Sequence, residues 1–310
     1  MAKENSLRGS KAHSHFEPIR TIDLNPQSGA PIGVFDSGVG GLSVLRALQS
    51  ELPDEQFVYV ADSGHAPYGE RDIAHVLDRS HAISEYLINA HQIKLLVVAC
   101  NTATAAAIHH LRETWSPLPV VGIEPALKPA TAGTVTGLIA VMATRSTLNS
   151  EKFRQLQLGL PDHTRLILQP CDGLAGAIEC NDHAAIEQLC KTYMAELGPF
   201  GKRPDTIDSL VLGCTHYPFI AERLSALAGP DVQLYEAGSP VARQTRRLLE
   251  RANLLRVQSA GLPNTVLPST GLEDKSALQT LYYTSGDTEA LKDAVIRWLG
   301  ASASVDILRK

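Results

Sequence analysis

Two cysteines stand where thiol chemistry would need them. In VVACNTATAAAIHHLR (97–112) and VLGCTHYPFIAERL (211–224) an apolar run ends in Cys100 or Cys214, a Thr follows within two residues, and a helical pattern begins. Ligands of open α/β sheets collect at the carboxyl ends of the strands. A helix N-terminus there offers free N–H groups and positive potential, which lower a thiol's pKa and stabilise an anion beside it. Two such thiols suit a redox pair or the two sides of an acid–base reaction. A redox pair usually reads C-x-x-C, which is absent. Two opposed thiols suit the removal of a proton from one face of a carbon and the return of one to the other, because a thiolate is a base and its partner thiol an acid. Cys171, Cys180 and Cys190 lack this setting and read as core or surface thiols.

Other chemistry-bearing residues gather at neighbouring strand ends. The run Asp36-Ser37-Gly38-Val39-Gly40-Gly41 follows the first strand-like segment. Its glycines allow φ > 0 and close backbone approach to a ligand. It is neither G-x-G-x-x-G nor a P-loop, so an anion cradle is the reading, and a carboxylate fits as well as a phosphate. Asp36 is placed to bind a substrate amine or assist a base. The turn-rich stretch from Ala61 to Gly69, which includes Tyr68, is a second loop candidate. His216, two residues after Cys214, can hold that thiol ionised or reprotonate it. His109 and His110 read as packed or solvated, and Arg243, Arg246 and Arg247 as a solvated helix face.

The elements that must position these residues alternate. Strand-like runs are PIGVF (31–35), QFVYVA (56–61), KLLVVAC (94–100), GLIAVM (137–142), RLILQP (165–170), SLVLGC (209–214) and VQLY (232–235). Short, continuous and branched, they look like strands buried on both faces of a parallel sheet. Helical periods lie between them, at 41–52, 72–90, 102–114 and 219–228. A last strand is expected at 281–284 and a last helix, capped by Thr284, Ser285 or Asp287, running to Trp298. The pattern is α/β with mainly parallel sheets. The shared grammar around Cys100 and Cys214 suggests two similar lobes.

The chain has 310 residues, enough for two domains of roughly 150. A net charge of −5 and a pI of 6.1 leave no basic excess for phosphates, which argues against nucleic-acid binding. Mean hydropathy is −0.04 and no apolar run approaches the roughly 20 residues of a membrane helix. Residues 1–28 are polar, without an apolar core or cleavage signal, so a disordered tail and a cytoplasmic location with reduced thiols are expected. Residues 254–280 lose the pattern and read as a surface excursion.

DSGVGGLSVL, DSGHAPYGER, VVACNTAT, GIEPALKPA and VLGCTHYP, in this order, resemble the glutamate racemases over about residues 31–253, with YYTSGD again at 282–287. The resemblance implies interconversion of L- and D-glutamate without pyridoxal phosphate or another cofactor, for peptidoglycan synthesis. It implies two α/β/α lobes, the second inserted in the first, with the site in the cleft between them. Lobe boundaries of 29–122 plus 236–310 and of 123–235 follow. Cys100 and Cys214 match the catalytic acid/bases, with Asp36 and His216 as their helpers. Asp36, Ser37, Tyr68, Gly69, Asn101, Thr102, Thr215 and His216 match substrate-binding positions. Glu179 matches a further acidic helper, although Asp172 departs from the usual Cys-Pro pairing after Cys171. A homodimer is implied, as is a cell-wall precursor activator, since some relatives with N-terminal extensions respond to one. No metal or membrane is expected.

Other readings keep a place beside it. A sister racemase would act on aspartate or another amino acid. A nucleotide-dependent oxidoreductase needs the glycine fingerprint that fails here. A non-catalytic two-lobe binding protein would not need two strand-end thiols.

Overall fold

A computed structural model of the chain describes residues 27–256 and 280–308. The expected tail (1–28) and excursion (254–280) lie almost wholly outside the described residues. In chain order the strands are β1 (Ile32–Asp36), β2 (Phe57–Ala61), β3 (Leu95–Val98), β4 (Val120–Gly122), β5 (Leu138–Ala143), β6 (Arg165–Pro170), β7 (Ser209–Leu212), β8 (Gln233–Tyr235), β9 (Leu281–Thr284) and β10 (Val305–Ile307). The helices are α1 (Leu42–Glu51), α2 (Ile73–His91), α3 (Asn101–Thr114), α4 (Leu127–Gly133), α5 (Arg145–Leu148), α6 (Glu151–Leu158), α7 (Leu174–Glu179), α8 (His183–Leu197), α9 (Ala221–Ala228), α10 (Gly238–Arg251) and α11 (Thr288–Leu299).

The strands form two all-parallel sheets, in the orders β10-β9-β2-β1-β3-β4 and β6-β5-β7-β8. Alternation along each strand sends neighbours to opposite faces. In the larger sheet Ile32, Val34, Leu95 and Val97 join the core under α1, α10 and α11, whereas Phe35, Leu96 and Val98 join the core under α2 and α3. In the smaller sheet Ala140, Met142, Leu210 and Leu212 face α7, α8 and α9, and Ile139, Val141 and Val211 face α4 and α6. Each sheet is thus the middle layer of an α/β/α sandwich, as the buried apolar runs predicted.

Four expectations need correction. β4 and β10 were not foreseen, because each has three residues and the segments hold Pro119 or the polar Ser302, Ser304 and Asp306. β6 is not buried on both faces: it is the outer strand of its sheet, and Leu168 is 36% exposed. No α-helix directly follows Cys214. A 3-10 turn, Tyr217–Ile220, precedes α9, with Pro218 at its start. The last helix does start as expected, with the Asp287 carboxylate accepting the N–H groups of Glu289 and Ala290.

The carboxyl ends of β1, β2 and β3 meet those of β5 and β7 across a cleft. Contacts on both sides of it join the sheets: Thr102 reaches Thr144, and Val39 reaches Glu179.

Candidate active site

The loop after β1 is closed on itself. Asp36, fully buried at the end of the strand, accepts the Gly41 N–H at 2.8 Å and the Gly38 N–H at 3.4 Å through Oδ2. The Tyr59 hydroxyl donates to the Gly38 carbonyl at 2.7 Å. Gly38, Gly40 and Gly41 are not in the left-handed region, so conformational freedom is not why they are glycines. Close approach is the reason. A Cβ on Gly40 would stand 2.5 Å from Thr215 Oγ1 and strike the His216 ring, and one on Gly38 would strike the Glu179 carboxylate. The loop does cradle an anion, but it is the protein's own: the Val39 N–H donates to both Glu179 oxygens, at 3.0 and 3.1 Å.

Cys100 is the N-cap of α3, and its sulfur accepts the Ala103 N–H at 3.4 Å. Its S–H points at Ser37 Oγ, 3.7 Å away. The helix terminus was expected to lower this thiol. Instead burial, aided by the nearby Asp36 charge, pushes it far above its ordinary range. Desolvation outweighs the hydrogen bonds from the Ala103 N–H and from Ser37 here. Burial also pushes the Asp36 carboxyl from 3.8 up to about 6, against the pull of His216 and the Gly41 N–H.

Cys214 lies in the other lobe, and its sulfur is 3.7 Å from His216 Nδ1. His216 Nε2 is 2.5 Å from Glu179 Oε2. Burial disfavours the imidazolium, but Cys214 and Glu179 together outweigh it and hold His216 well above its ordinary value. Burial likewise opposes a charged Glu179, yet the His216 bond and charge, with the Val39 N–H, hold that carboxyl below its usual range. Both shifts favour an imidazolium–carboxylate pair, with His216 buried and Glu179 partly exposed. Ser43 Oγ reaches the Thr215 carbonyl at 2.8 Å and ties this turn to α1.

The remaining expected residues surround the same cleft. Asn101 and Thr102 open α3, and Thr102 Oγ1 is 3.4 Å from Thr144 Oγ1. Gly69 faces Thr144 too, since a Cβ on it would stand 3.2 Å from that side chain. Tyr68 is buried and donates to Asp62 at 2.6 Å. Asp36 Oδ1 and Asn101 Oδ1 are buried without a hydrogen-bond partner among the described residues. Both oxygens can accept hydrogen bonds.

Sequence reasoning missed several participants. Thr144 follows β5 as Cys100 and Cys214 follow β3 and β7, and a polar residue just past a strand's carboxyl end was the signal. Ser63 lies in the expected 61–69 loop without being singled out, and it reaches Glu179 at 3.4 Å. Arg79 carried no signal; it sits on α2 and pairs with Asp62. Cys171 is buried in the core that also holds Cys214, Cys190 is buried and Cys180 is exposed. His110 lies beside His81 with the two rings tilted, and Arg246 pairs with Glu51. Among the described residues no group of three or more His, Cys, Asp or Glu could hold a metal, and no helix is long and apolar enough to cross a membrane.

The chain as a whole is similar to known proteins in sequence and fold. Residues 32–245 match the Asp/Glu/Hydantoin racemase family model. A glutamate racemase of Ectopseudomonas mendocina is 44% identical over 283 residues, covering 91% of this chain and 99% of that protein. A solved glutamate racemase isoform from Bacillus anthracis superposes with a TM-score of 0.76 at 30% identity, over 91% of this chain and 98% of that one. The Escherichia coli glutamate racemase, solved with L-glutamate and the activator UDP-MurNAc-Ala, gives a TM-score of 0.72 at 28% identity, over 90% and 98% of the two chains. Sequence and fold agree over nearly the whole length, and the chain belongs to the Asp/Glu/hydantoin racemase family, among its glutamate racemases.

Proposed function

We propose that this chain interconverts L- and D-glutamate without a cofactor, with Cys100 and Cys214 exchanging the α-proton on opposite faces of the substrate. One observation carries the reading. A single loop, Asp36 to Gly41, touches the first thiol through Ser37 and the second thiol's imidazole through Gly40. That shared loop supports a reading in which the two sulfurs flank one small site.

An α-proton beside a carboxylate is a weak acid, so the site must both move a proton and stabilise carbanion charge. The thiolate of one cysteine takes the α-proton and the C–H electron pair spreads into the substrate carboxylate. The S–H of the other cysteine then breaks and protonates the opposite face. The two sulfurs end with their protonation states exchanged, ready for the other enantiomer. Each positioned proton transfer is worth about 10²- to 10⁴-fold. Asp36 is the helper beside Cys100. His216, oriented by Glu179, is the proton donor beside Cys214. Ser37, Tyr68, Gly69, Asn101, Thr102, Thr215 and His216 bind the substrate, with the unpaired Asp36 Oδ1 and Asn101 Oδ1 as acceptors for its ammonium. The lobes are taken as 29–122 with 236–310, and 123–235.

The product would feed peptidoglycan synthesis. The likeness to the Escherichia coli enzyme supports a cell-wall precursor as activator. A homodimer and a cytoplasmic site of action complete the proposal. The test is incubation of the purified, cofactor-free protein with L-glutamate and with D-glutamate in D₂O, and with aspartate as control. Early product should carry α-deuterium while recovered substrate stays mostly protiated. Rapid wash-out from substrate as well would mean one solvent-exchanging base and would end the two-thiol assignment.

A further inference from the structure

The YYTSGD motif (282–287) lies outside both thiol sites, yet it interlocks with the loop that carries Tyr68. Ser285 donates its N–H to the Ala61 carbonyl at 3.1 Å and accepts the Gly64 N–H on its hydroxyl at 3.1 Å. The two backbones touch so closely that a Cβ on Gly286 would stand 3.0 Å from the Gly64 nitrogen. At the centre of this loop is Asp62, fully buried. Its carboxylate takes a two-pronged pair from Arg79, at 2.9 and 2.8 Å, the Tyr68 hydroxyl at 2.6 Å, and His65 Nδ1 at 3.1 Å. We propose that the Asp62–Arg79 pair, braced by the Thr284–Gly286 turn, is a positioning device that holds Tyr68 and Gly69 at the substrate.

Three observations support this over a simple staple. The loop meets the second lobe at both ends, through Ser63 with Glu179 at 3.4 Å and through Gly69 with Thr144. Asp62 directly precedes Ser63 and holds the hydroxyl of Tyr68, the neighbour of Gly69, so its placement bears on both contacts. A planar guanidinium fixes a carboxylate in direction as well as distance, which a lysine would not. A buried ion pair is weak as a source of stability, because desolvation offsets its attraction. Burial does oppose the charged Asp62, but Arg79, Ser285 and Tyr68 outweigh it and hold the carboxyl below its usual range. A fully partnered carboxylate of this kind gives one rigid geometry.

The inference rests on the reading that Tyr68 and Gly69 bind substrate, so the experiment separates the two. Racemisation is measured in both directions, with melting curves, for Arg79→Ala, Arg79→Lys, Asp62→Asn, Ser285→Ala and Gly69→Val. The positioning role predicts that Arg79→Ala and Asp62→Asn raise the KM for glutamate about tenfold while kcat changes less than about threefold. Arg79→Lys should recover part of the loss, and Ser285→Ala should raise KM about threefold. If Gly69→Val raises KM but no variant of Asp62, Arg79 or Ser285 does, positioning is overturned and the binding reading stands. If none of the five moves KM, the binding reading falls and positioning falls with it. A lowered melting temperature at unchanged KM makes the pair a structural staple and overturns the proposal. Should Arg79→Ala and Asp62→Asn not fold, Arg79→Lys and Ser285→Ala decide by the same criterion.

Discussion

Cys100 and Cys214 occupy the same place in their lobes, at the carboxyl end of an inner parallel strand, and are surrounded differently. Cys100 caps an α-helix and looks at a hydroxyl and at a carboxylate that burial pushes up to about 6. Cys214 precedes a 3-10 turn and looks at an imidazole held well above its ordinary value by a carboxylate. One thiol has an anionic helper that is easily neutralised, and the other a cationic helper that is hard to neutralise. The helpers are also linked, because His216 pulls Asp36 down and Glu179 pushes it up. The difference teaches that the lobes are alike in topology but not in charge. A reaction that swaps proton states between two sulfurs needs only one of them deprotonated at a time, and unlike helpers set which one.

The strongest way to break the comparison is to remove one sulfur. Cys100→Ser and Cys214→Ser should each lower racemisation by about 10³-fold or more, with glutamate binding largely kept. The enantiomers have equal free energies, so kcat/KM must fall equally in both directions for either variant. The asymmetry should show instead in α-deuterium exchange without inversion, each variant keeping exchange with only one enantiomer. Near wild-type turnover in either variant would end the two-thiol mechanism.

A second test sharpens the contrast between helpers through pH. The folded pKa of Asp36 lies above its unfolded value, so its protonated form favours the fold. That stabilisation is fully present below about 3.8 and is lost as pH rises through about 6. The rise corresponds to about 3 kcal/mol at neutral pH. Asp36→Asn should therefore melt higher than the parent at pH 8, the gap closing below pH 4, while its kcat/KM falls about 10- to 100-fold. His216→Asn should lower kcat/KM by a similar factor without that pattern in the melting curves. A parent–Asp36→Asn melting difference that does not change with pH would remove Asp36 from the list of groups that titrate with the fold.

Much of this was legible in the sequence, for physical reasons that also mark where reading stopped. Inner strands are long apolar runs, and both thiols follow such runs. β4 and β10 are too short to carry a period, and their polar or proline-rich surroundings hide them. The glycine run was legible as a place of close approach. What approaches it was not, since Glu179, Thr215 and His216 come from the other lobe and only folding brings them there. The direction of the Cys100 shift was misread because a helix N-terminus can be seen in a sequence and the depth of burial cannot. Arg79 stood unnoticed 17 residues from Asp62, on a helix whose inner face only the packing defines.

The smallest expected effect lies at the third strand end on the second lobe's side, which bears no thiol. Thr144 follows β5 and contacts Thr102 Oγ1 at 3.4 Å and Thr147 Oγ1 at 2.9 Å, while also capping α5. It therefore joins the Cys100 helix to the second lobe on the side of the cleft away from Glu179. Thr144→Val keeps the shape and deletes the hydroxyl. Loss of the cap should cost about 1 kcal/mol of stability, and loss of the cross-cleft contact should raise KM about threefold with kcat nearly unchanged. Thr102→Val should raise KM by a similar factor while leaving the cap intact, and the double variant should raise KM little further, because either change alone already breaks the shared contact. Fully additive effects would mean that the two hydroxyls act apart. The polar contacts that join the lobes at the site would then be those of Glu179 with Val39 and Ser63 and of Thr215 with Ser43, on the Cys214 side of the cleft.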